Sequence, residues 1–129
     1  TDLIRKLNLK ERIICDFNYA NNKKASQVFC AADIVAQTYI TATQSGVTPL
    51  AYHFKTPLLV SDLAGLRTPI LEDQTGIVSE VKAEKIAENI NKILSDDKLL
   101  EFQPSFQKVG DKYSWKSFGL SLMNFMGQL

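Results

Sequence analysis

TQSGVTPLA, the run from Thr43 to Ala51, is the clearest guide to how this chain folds. It lies between an apolar run, Ile34–Gln37, and a helix-like pattern that ends at Phe54. A buried strand, a turn of small residues and a helix N-terminus together form a common geometry for holding a phosphate group. Backbone N–H groups and the positive end of the helix dipole converge there, so no basic side chain is required. The run therefore predicts a strand–turn–helix unit with an anion site at its turn.

A second unit of the same kind follows at once. Pro57–Ser61 has the composition of a strand, Asp62–Gly65 that of a loop, and a short segment begins at Leu66. Two adjacent strand–loop–helix units place their loops on one edge of a parallel sheet, and open α/β sheets bind nucleotides at that edge.

The rest of the chain continues the alternation of strands and helices. Apolar residues of Lys23–Ala32 and Ala83–Ser95 recur at helical spacing, and Ser114 is placed to cap a last helix that runs to Leu129. We also expect a strand at Arg12–Phe17, a turn at Asp73–Gly76, a short strand at Ile77-Val78, a helix boundary at Asp96-Asp97, and an interruption of the following helix by Pro104. Alternating strands and helices imply parallel pairing and right-handed crossovers. The predicted fold class is α/β, a Rossmann-like parallel sheet with flanking helices.

Composition narrows the function classes. The chain has 129 residues, of which 45% are hydrophobic, and a formal net charge of +1. This is material for one domain, 1–129, with no bulk attraction to nucleic acid. No apolar run approaches the roughly 20 residues that span a bilayer. Cys15 and Cys30 are isolated, so we expect reduced core thiols and a cytoplasmic protein. With one histidine, the chain offers no zinc site.

The start of the chain indicates a piece of a longer protein. The first residue is Thr1, and Leu3, Ile4 and Leu7 begin a helical pattern without a convincing N-terminus. We expect the chain to lack strand–helix units that precede it.

Five short motifs now stand in a recognisable order. They are Phe29–Val35 (FCAADIV), Ala42–Val47 (ATQSGV), Lys55–Val60 (KTPLLV), Leu63–Leu66 (LAGL) and Thr75–Val78 (TGIV). Together they resemble the C-terminal domain of group 1 glycosyltransferases, from about Asn8 to the terminal helix. Those enzymes have two Rossmann-like domains in the GT-B arrangement and transfer sugars from nucleotide-sugar donors with retention of configuration. The resemblance implies a hexosyltransferase whose donor-binding half is this chain.

The resemblance also implies a site. The turn ending at Ser45-Gly46 and the helix after it would receive the donor diphosphate, and the loop around Gly65 would border the same pocket. The candidate donor-binding residues are Thr43, Gln44, Ser45, Gly46, Val47, Thr48, Gly65 and Leu66. No catalytic residue is assigned. Trp115 is similar to the aromatic residue that opens the family's terminal helix, which packs toward the partner domain.

Substrates and partners follow from the same likeness. The nucleotide-sugar is a substrate, and we expect neither a cofactor nor a metal. The expected partner is an N-terminal acceptor domain that this chain does not contain, and nucleic acid is not expected. Without that domain, the stripe from Trp115 to Leu129 would favour self-association. Membrane association of the intact enzyme stays open, and nothing in this chain encodes it. We expect the isolated chain to be inactive.

Three positions depart from the family pattern. Matching Gly46 to the family's turn glycine places the two expected glutamates on Thr43 and Ala51, and a third on Thr68. The second of these glutamates commonly holds the ribose hydroxyls of the donor, which an alanine cannot do. The family's basic pair precedes the region where this chain begins.

Other interpretations remain beside the enzymatic one. The replacements at Thr43, Ala51 and Thr68 favour a non-catalytic relative that binds or scaffolds. A generic α/β nucleotide-binding module is a third hypothesis, although a Gly-x-Gly-x-x-Gly turn is missing. Ser45-Gly46 is also compatible with an ordinary strand-to-helix turn, and Gly65 with a loop glycine of positive φ. Four carboxylates near the loop edge could substitute for a family glutamate: Asp62, Glu72, Asp73 and Glu80.

Overall fold

Three parallel strands form the centre of the molecule. The structure, a computed structural model, describes residues 2–128. The strands are β1 (Val35–Gln37), β2 (Leu58–Ser61) and β3 (Gly76–Ser79), and they lie in the order β1-β2-β3. Leu58 pairs with Val35 on one side and with Gly76 on the other. All four residues of β2 are buried, as expected for the central strand of a parallel sheet covered on both faces.

Helices connect and flank these strands. They are α1 (Asp2–Lys6), α2 (Asn22–Ala31), α3 (Val47–Phe54), α4 (Ala64–Asp73), α5 (Ala83–Ile93), α6 (Asp96–Glu101), α7 (Gln103–Lys112) and α8 (Trp115–Met126). The predicted α/β class, with helices crossing between parallel strands, is therefore confirmed. Within residues 2–128, no helix combines the length and the apolar character needed to cross a membrane.

The core has two parts. One cluster joins the sheet to the helices that follow β1 and β2, and its buried members are Ala51, Leu58, Val60, Leu66 and Ile70. The other holds α5, α6 and α7 together through Ile93, Phe102 and Phe106. Tyr52 packs against both clusters. It therefore lies where the sheet layer and the α5–α7 layer meet.

The predicted strand at Arg12–Phe17 is wrong. Arg12 and Ile13 donate backbone hydrogen bonds to the Leu9 carbonyl, at 3.0 and 3.1 Å, and the segment pairs with no strand of the described chain. Ile14 is 97% exposed. A β-rich run needs a neighbouring strand for its backbone groups, and without one its composition does not suffice. The expectation of core thiols fails as well, because Cys15 and Cys30 are both exposed.

Several helix boundaries also differ from the prediction. Helix α4 begins at Ala64 and continues to Asp73, where Gln74 adopts a left-handed conformation (φ 53°) and ends it. Pro104 lies in the first turn of α7, where a missing N–H costs nothing, so it starts a helix instead of interrupting one. The cap at Ser114 is confirmed, since its Oγ accepts a hydrogen bond from the Ser117 amide at 3.1 Å. Leu129 lies outside the described residues.

Candidate functional site

A pocket of about 770 Å³ opens beside the carboxyl ends of β1 and β2. Its walls come from the loop after β1, one side of α3 along its length, the first half of α4, and the C-terminal end of α7. The lining residues are Gln44, Ser45, Gly46, Thr48, Pro49, Tyr52, His53, Gly65, Pro69, Val109, Gly110 and Tyr113. The volume is within the usual range of small-ligand sites, about 300–1,000 Å³.

The structure brings most of the predicted donor-binding residues to this pocket. Five of the eight line it: Gln44, Ser45, Gly46, Thr48 and Gly65. Thr43 instead lines a shallower neighbouring depression with Ile40 and Leu63. Leu66 is buried in the core, and the side chain of Val47 is half-buried beside the pocket. Contact of these residues with a ligand remains a prediction.

Gly65 joins the two predicted loops. A Cβ atom on Gly65 would lie 1.5 Å from the carbonyl oxygen of Thr43, so only glycine allows the loop after β1 to meet the start of α4. The interpretation of Gly65 as a loop residue with positive φ is wrong, because it lies inside α4 and no described glycine has a positive φ. Gly46 differs: a Cβ there would have no atom within 4 Å, and its φ is −66°. Close packing explains Gly65 and does not explain Gly46.

Two helix N-termini face the pocket, although not every amide is available. At α3, the Val47 amide donates to Ser45 Oγ (3.2 Å), the Thr48 amide donates to the Ser45 carbonyl (3.3 Å), and Pro49 has no N–H. This leaves the amides of Ser45 and Gly46 for an anion. The amides of Val47 and Thr48 are already bonded within the turn.

Helix α4 offers the matching pair of amides. Those of Leu66 and Arg67 both donate to the Leu63 carbonyl at 2.9 Å, whereas no side chain caps the helix. The preceding amides, of Ala64 and Gly65, lie beyond this capping pair at the end of the helix where positive dipole charge concentrates.

Three buried polar residues beside the pocket are linked by hydrogen bonds. Gln37, the last residue of β1, donates from Nε2 to Thr48 Oγ1 at 3.1 Å. Ser61, at the end of β2, donates to the Gln37 carbonyl at 3.4 Å. All three side chains are buried, so these bonds are protected from water. They tie the first turn of α3 to the ends of both strands.

None of the carboxylates near the loop edge lines the pocket. Asp62 pairs with Arg67 at 2.8 Å, and Glu80 pairs with Lys82 at 2.6 Å. Two positions where the resemblance would place a glutamate offer no group to a donor either. Ala51 is fully buried, and the Thr68 hydroxyl already donates to the Ala64 carbonyl at 2.8 Å. The lining residues of the described chain include no Asp, Glu, Lys or Arg.

Asp73 is the centre of a polar cluster that the sequence did not reveal. Its carboxylate accepts hydrogen bonds from Lys112 Nζ (2.6 Å) and the Tyr113 hydroxyl (3.0 Å), and the Tyr52 hydroxyl lies 3.3 Å away. Thr75, which is fully buried, donates to the Tyr52 hydroxyl at 3.0 Å. The partners at 112 and 113 are some 40 residues from Asp73, beyond the reach of any local pattern.

This cluster shifts the titration of its members. Burial raises the pKa of Tyr52, the nearby charge of Asp73 adds to the rise, and the hydrogen bond from Thr75 opposes it. The hydrogen bond to Asp73 raises the pKa of Lys112. Burial, followed by the hydrogen bond to Asp73, raises the pKa of Tyr113. At neutral pH the cluster therefore holds one ammonium group and two neutral phenols.

Comparison with solved structures shows where this fold recurs. Sucrose-phosphate synthase from Thermosynechococcus elongatus superposes with a TM-score of 0.80 at 19% sequence identity. The match covers 98% of this chain and 32% of that one, so the chain spans about a third of the length of that protein. The fold thus resembles part of a glycosyltransferase. No family model and no curated protein matches the sequence.

Proposed function

We propose that this chain is the donor-binding portion of a retaining GT-B glycosyltransferase that transfers a hexosyl group, and that the pocket receives the donor's diphosphate. One observation carries the proposal: Ser45, Gly46 and Gly65, predicted from the sequence, line one pocket at the carboxyl edge of the sheet. The superposition with sucrose-phosphate synthase supports the fold that this function requires.

The chemistry of the site is electrostatic. A diphosphate would accept hydrogen bonds from the amides of Ser45, Gly46, Ala64 and Gly65 and from the Ser45 hydroxyl. As the bond between sugar and phosphate breaks, negative charge grows on the leaving nucleoside diphosphate. Amides that are already oriented stabilise that charge without reorganisation. The proposal includes neither a metal nor another cofactor.

Affinity is expected to be low. A helix N-terminus contributes about 0.3–1 kcal/mol per charge at exposed sites. Among the described lining residues, no lysine or arginine adds to this term. Two such termini without a lysine or arginine are compatible with a millimolar dissociation constant, which corresponds to about −4 kcal/mol.

NMR titration with uridine diphosphate and guanosine diphosphate tests the proposal. Shift changes should concentrate at 44–48 and 64–66 and saturate in the millimolar range. Inorganic sulfate at equal ionic strength is the control for non-specific anion effects. Changes confined to a different surface, or none at 20-fold the expected dissociation constant (about 20 mM for a millimolar site), would refute donor binding.

A non-catalytic binding or scaffold role is the second candidate. The observation that favours it is that no described lining residue carries a carboxylate, together with Ala51 at the position where the resemblance would place a ribose-binding glutamate. Nucleotide binding without discrimination between ribose and deoxyribose diphosphates would support it, because the hydroxyl-binding group is the part that is replaced.

A further inference from the structure

One carboxylate connects the three helices that wall the pocket. Asp73 ends α4, Tyr52 lies on α3, and Lys112 and Tyr113 end α7. The Asp73 side chain is only 5% exposed and does not line the pocket. It therefore lies behind the pocket wall, where it can act on a ligand only through the residues that it holds.

The end of α7 depends on this contact more than its beginning does. Phe106 anchors the first half of the helix in the second core cluster. Beyond Val109 the helix is exposed. There, Lys112 contacts Asp73 and, at 3.9 Å, Glu72. Tyr113 contacts Asp73 and Tyr52. The rings of Tyr52 and Tyr113 lie 5.8 Å apart between centroids. Both rings line the pocket, so their separation sets part of its width.

We propose that Asp73 is a positioning residue: by holding Lys112 and Tyr113 it fixes the end of α7 against α3 and so sets the shape of the ligand pocket. The proposal deepens the proposed function and rests on it for the ligand, but not for the position of α7. Asp73 does not touch the ligand. Its carboxylate accepts hydrogen bonds from Lys112 and Tyr113, which would otherwise bond to water. Without these bonds, the end of α7 would be free to move away from Tyr52.

The contrasting explanation is that Asp73 only stabilises the fold. Hydrogen bonds to a charged group contribute to stability whether or not a ligand site is nearby, and removal of a nearly buried carboxylate lowers stability. A purely stabilising residue, however, leaves the geometry and the affinity of the folded molecules unchanged. A positioning residue alters both.

The test compares Asp73→Asn with Glu72→Gln. Glu72 is the adjacent carboxylate, lies 3.9 Å from Lys112 and does not bond to either tyrosine, so its variant controls for loss of charge near α7. Without ligand, Asp73→Asn should shift the amides of 109–113 and weaken the nuclear Overhauser contacts between the rings of Tyr52 and Tyr113. The dissociation constant for uridine diphosphate should rise three- to tenfold. Glu72→Gln should do neither.

Two outcomes overturn the proposal. The first is an Asp73→Asn protein that unfolds at lower urea but keeps the Tyr52–Tyr113 contacts and the wild-type amide shifts of α7. The second is an equal effect of Glu72→Gln, which would assign the effect to charge alone. If the wild type binds no uridine diphosphate, the proposed function fails, and the ligand-free spectra still decide the position of α7.

Discussion

The sheet region and the two ends of the chain carry similar apolar residues but bury them to opposite extents. Leu58, Leu59 and Val60 of β2 are completely buried, whereas Ile14 and Trp115 are 97% and 88% exposed. The difference follows from partners: β2 has a strand on each side and helices on its faces, while Arg12–Phe17 and α8 have no comparable neighbour in the described chain. Apolar composition predicts a tendency to be buried, and topology decides whether it is realised.

The largest expected effect on stability comes from shortening a buried side chain of β2. Leu58→Ala removes a fully buried side chain from the central strand and leaves a cavity, which should lower the free energy of unfolding by about 2–5 kcal/mol. The matched change at the exposed side, Ile14→Ala, should stay within about 0.5 kcal/mol. Urea unfolding measures both. Equal losses would mean that 12–17 is packed in solution.

A pair of glycines from the pocket gives the next effect. Gly65→Ala places a Cβ against the Thr43 carbonyl, so the two loops must separate, at a cost of about 1–3 kcal/mol or more. Gly46→Ala meets open space at negative φ and should be neutral or stabilising by up to about 1 kcal/mol. Thermal unfolding of both variants checks this. A tolerated alanine at 65 would contradict the close approach of the loops.

Alkaline pH tests the polar cluster. The folded protein holds the protons of Tyr52, Tyr113 and Lys112 more tightly than the unfolded chain does, since all three pKa values are raised. Above about pH 10 the unfolded chain releases these protons first. The stability that the three groups contribute is therefore fully present below that pH and should decline as pH rises. Tyr52→Phe should flatten the decline between pH 10 and 12, and Tyr19→Phe, at an exposed tyrosine, should not. Urea midpoints across this range supply the measurement, and identical slopes for the wild type and Tyr52→Phe would exclude the buried phenol as a cause.

The smallest effect belongs to the terminal helix. Trp115→Ser removes a large side chain that contacts mainly Phe118, so the free energy of unfolding should change by less than about 0.5 kcal/mol at low protein concentration. A loss above 2 kcal/mol, measured by urea unfolding, would show that α8 packs on the body of the protein. Self-association through this helix stays a prediction.

The sequence predicted those features that local patterns encode. The strands at 35–37 and 58–61 and the helices that follow them were recognisable because apolar runs and small-residue turns alternate there. Five of the pocket residues are among those that the small-residue turns and the family resemblance had indicated. Arg12–Phe17 shows the limit, because strand formation depends on a partner that the segment itself does not specify. The Asp73 cluster shows another, since its members meet only after α4 and α7 have packed.

The role of Gly46 gives the most direct test of donor binding. Its negative φ and the open space around it mean that Gly46→Asp should fold with an almost unchanged melting temperature. The new carboxylate would lie beside the amides of Ser45 and Gly46 and repel a diphosphate, by about 1–4 kcal/mol at 4 Å. Gly46→Asn adds a side chain of similar size without charge. The account predicts uridine diphosphate binding at least tenfold weaker in Gly46→Asp and within threefold of the wild type in Gly46→Asn; wild-type affinity in the folded Gly46→Asp protein would contradict it.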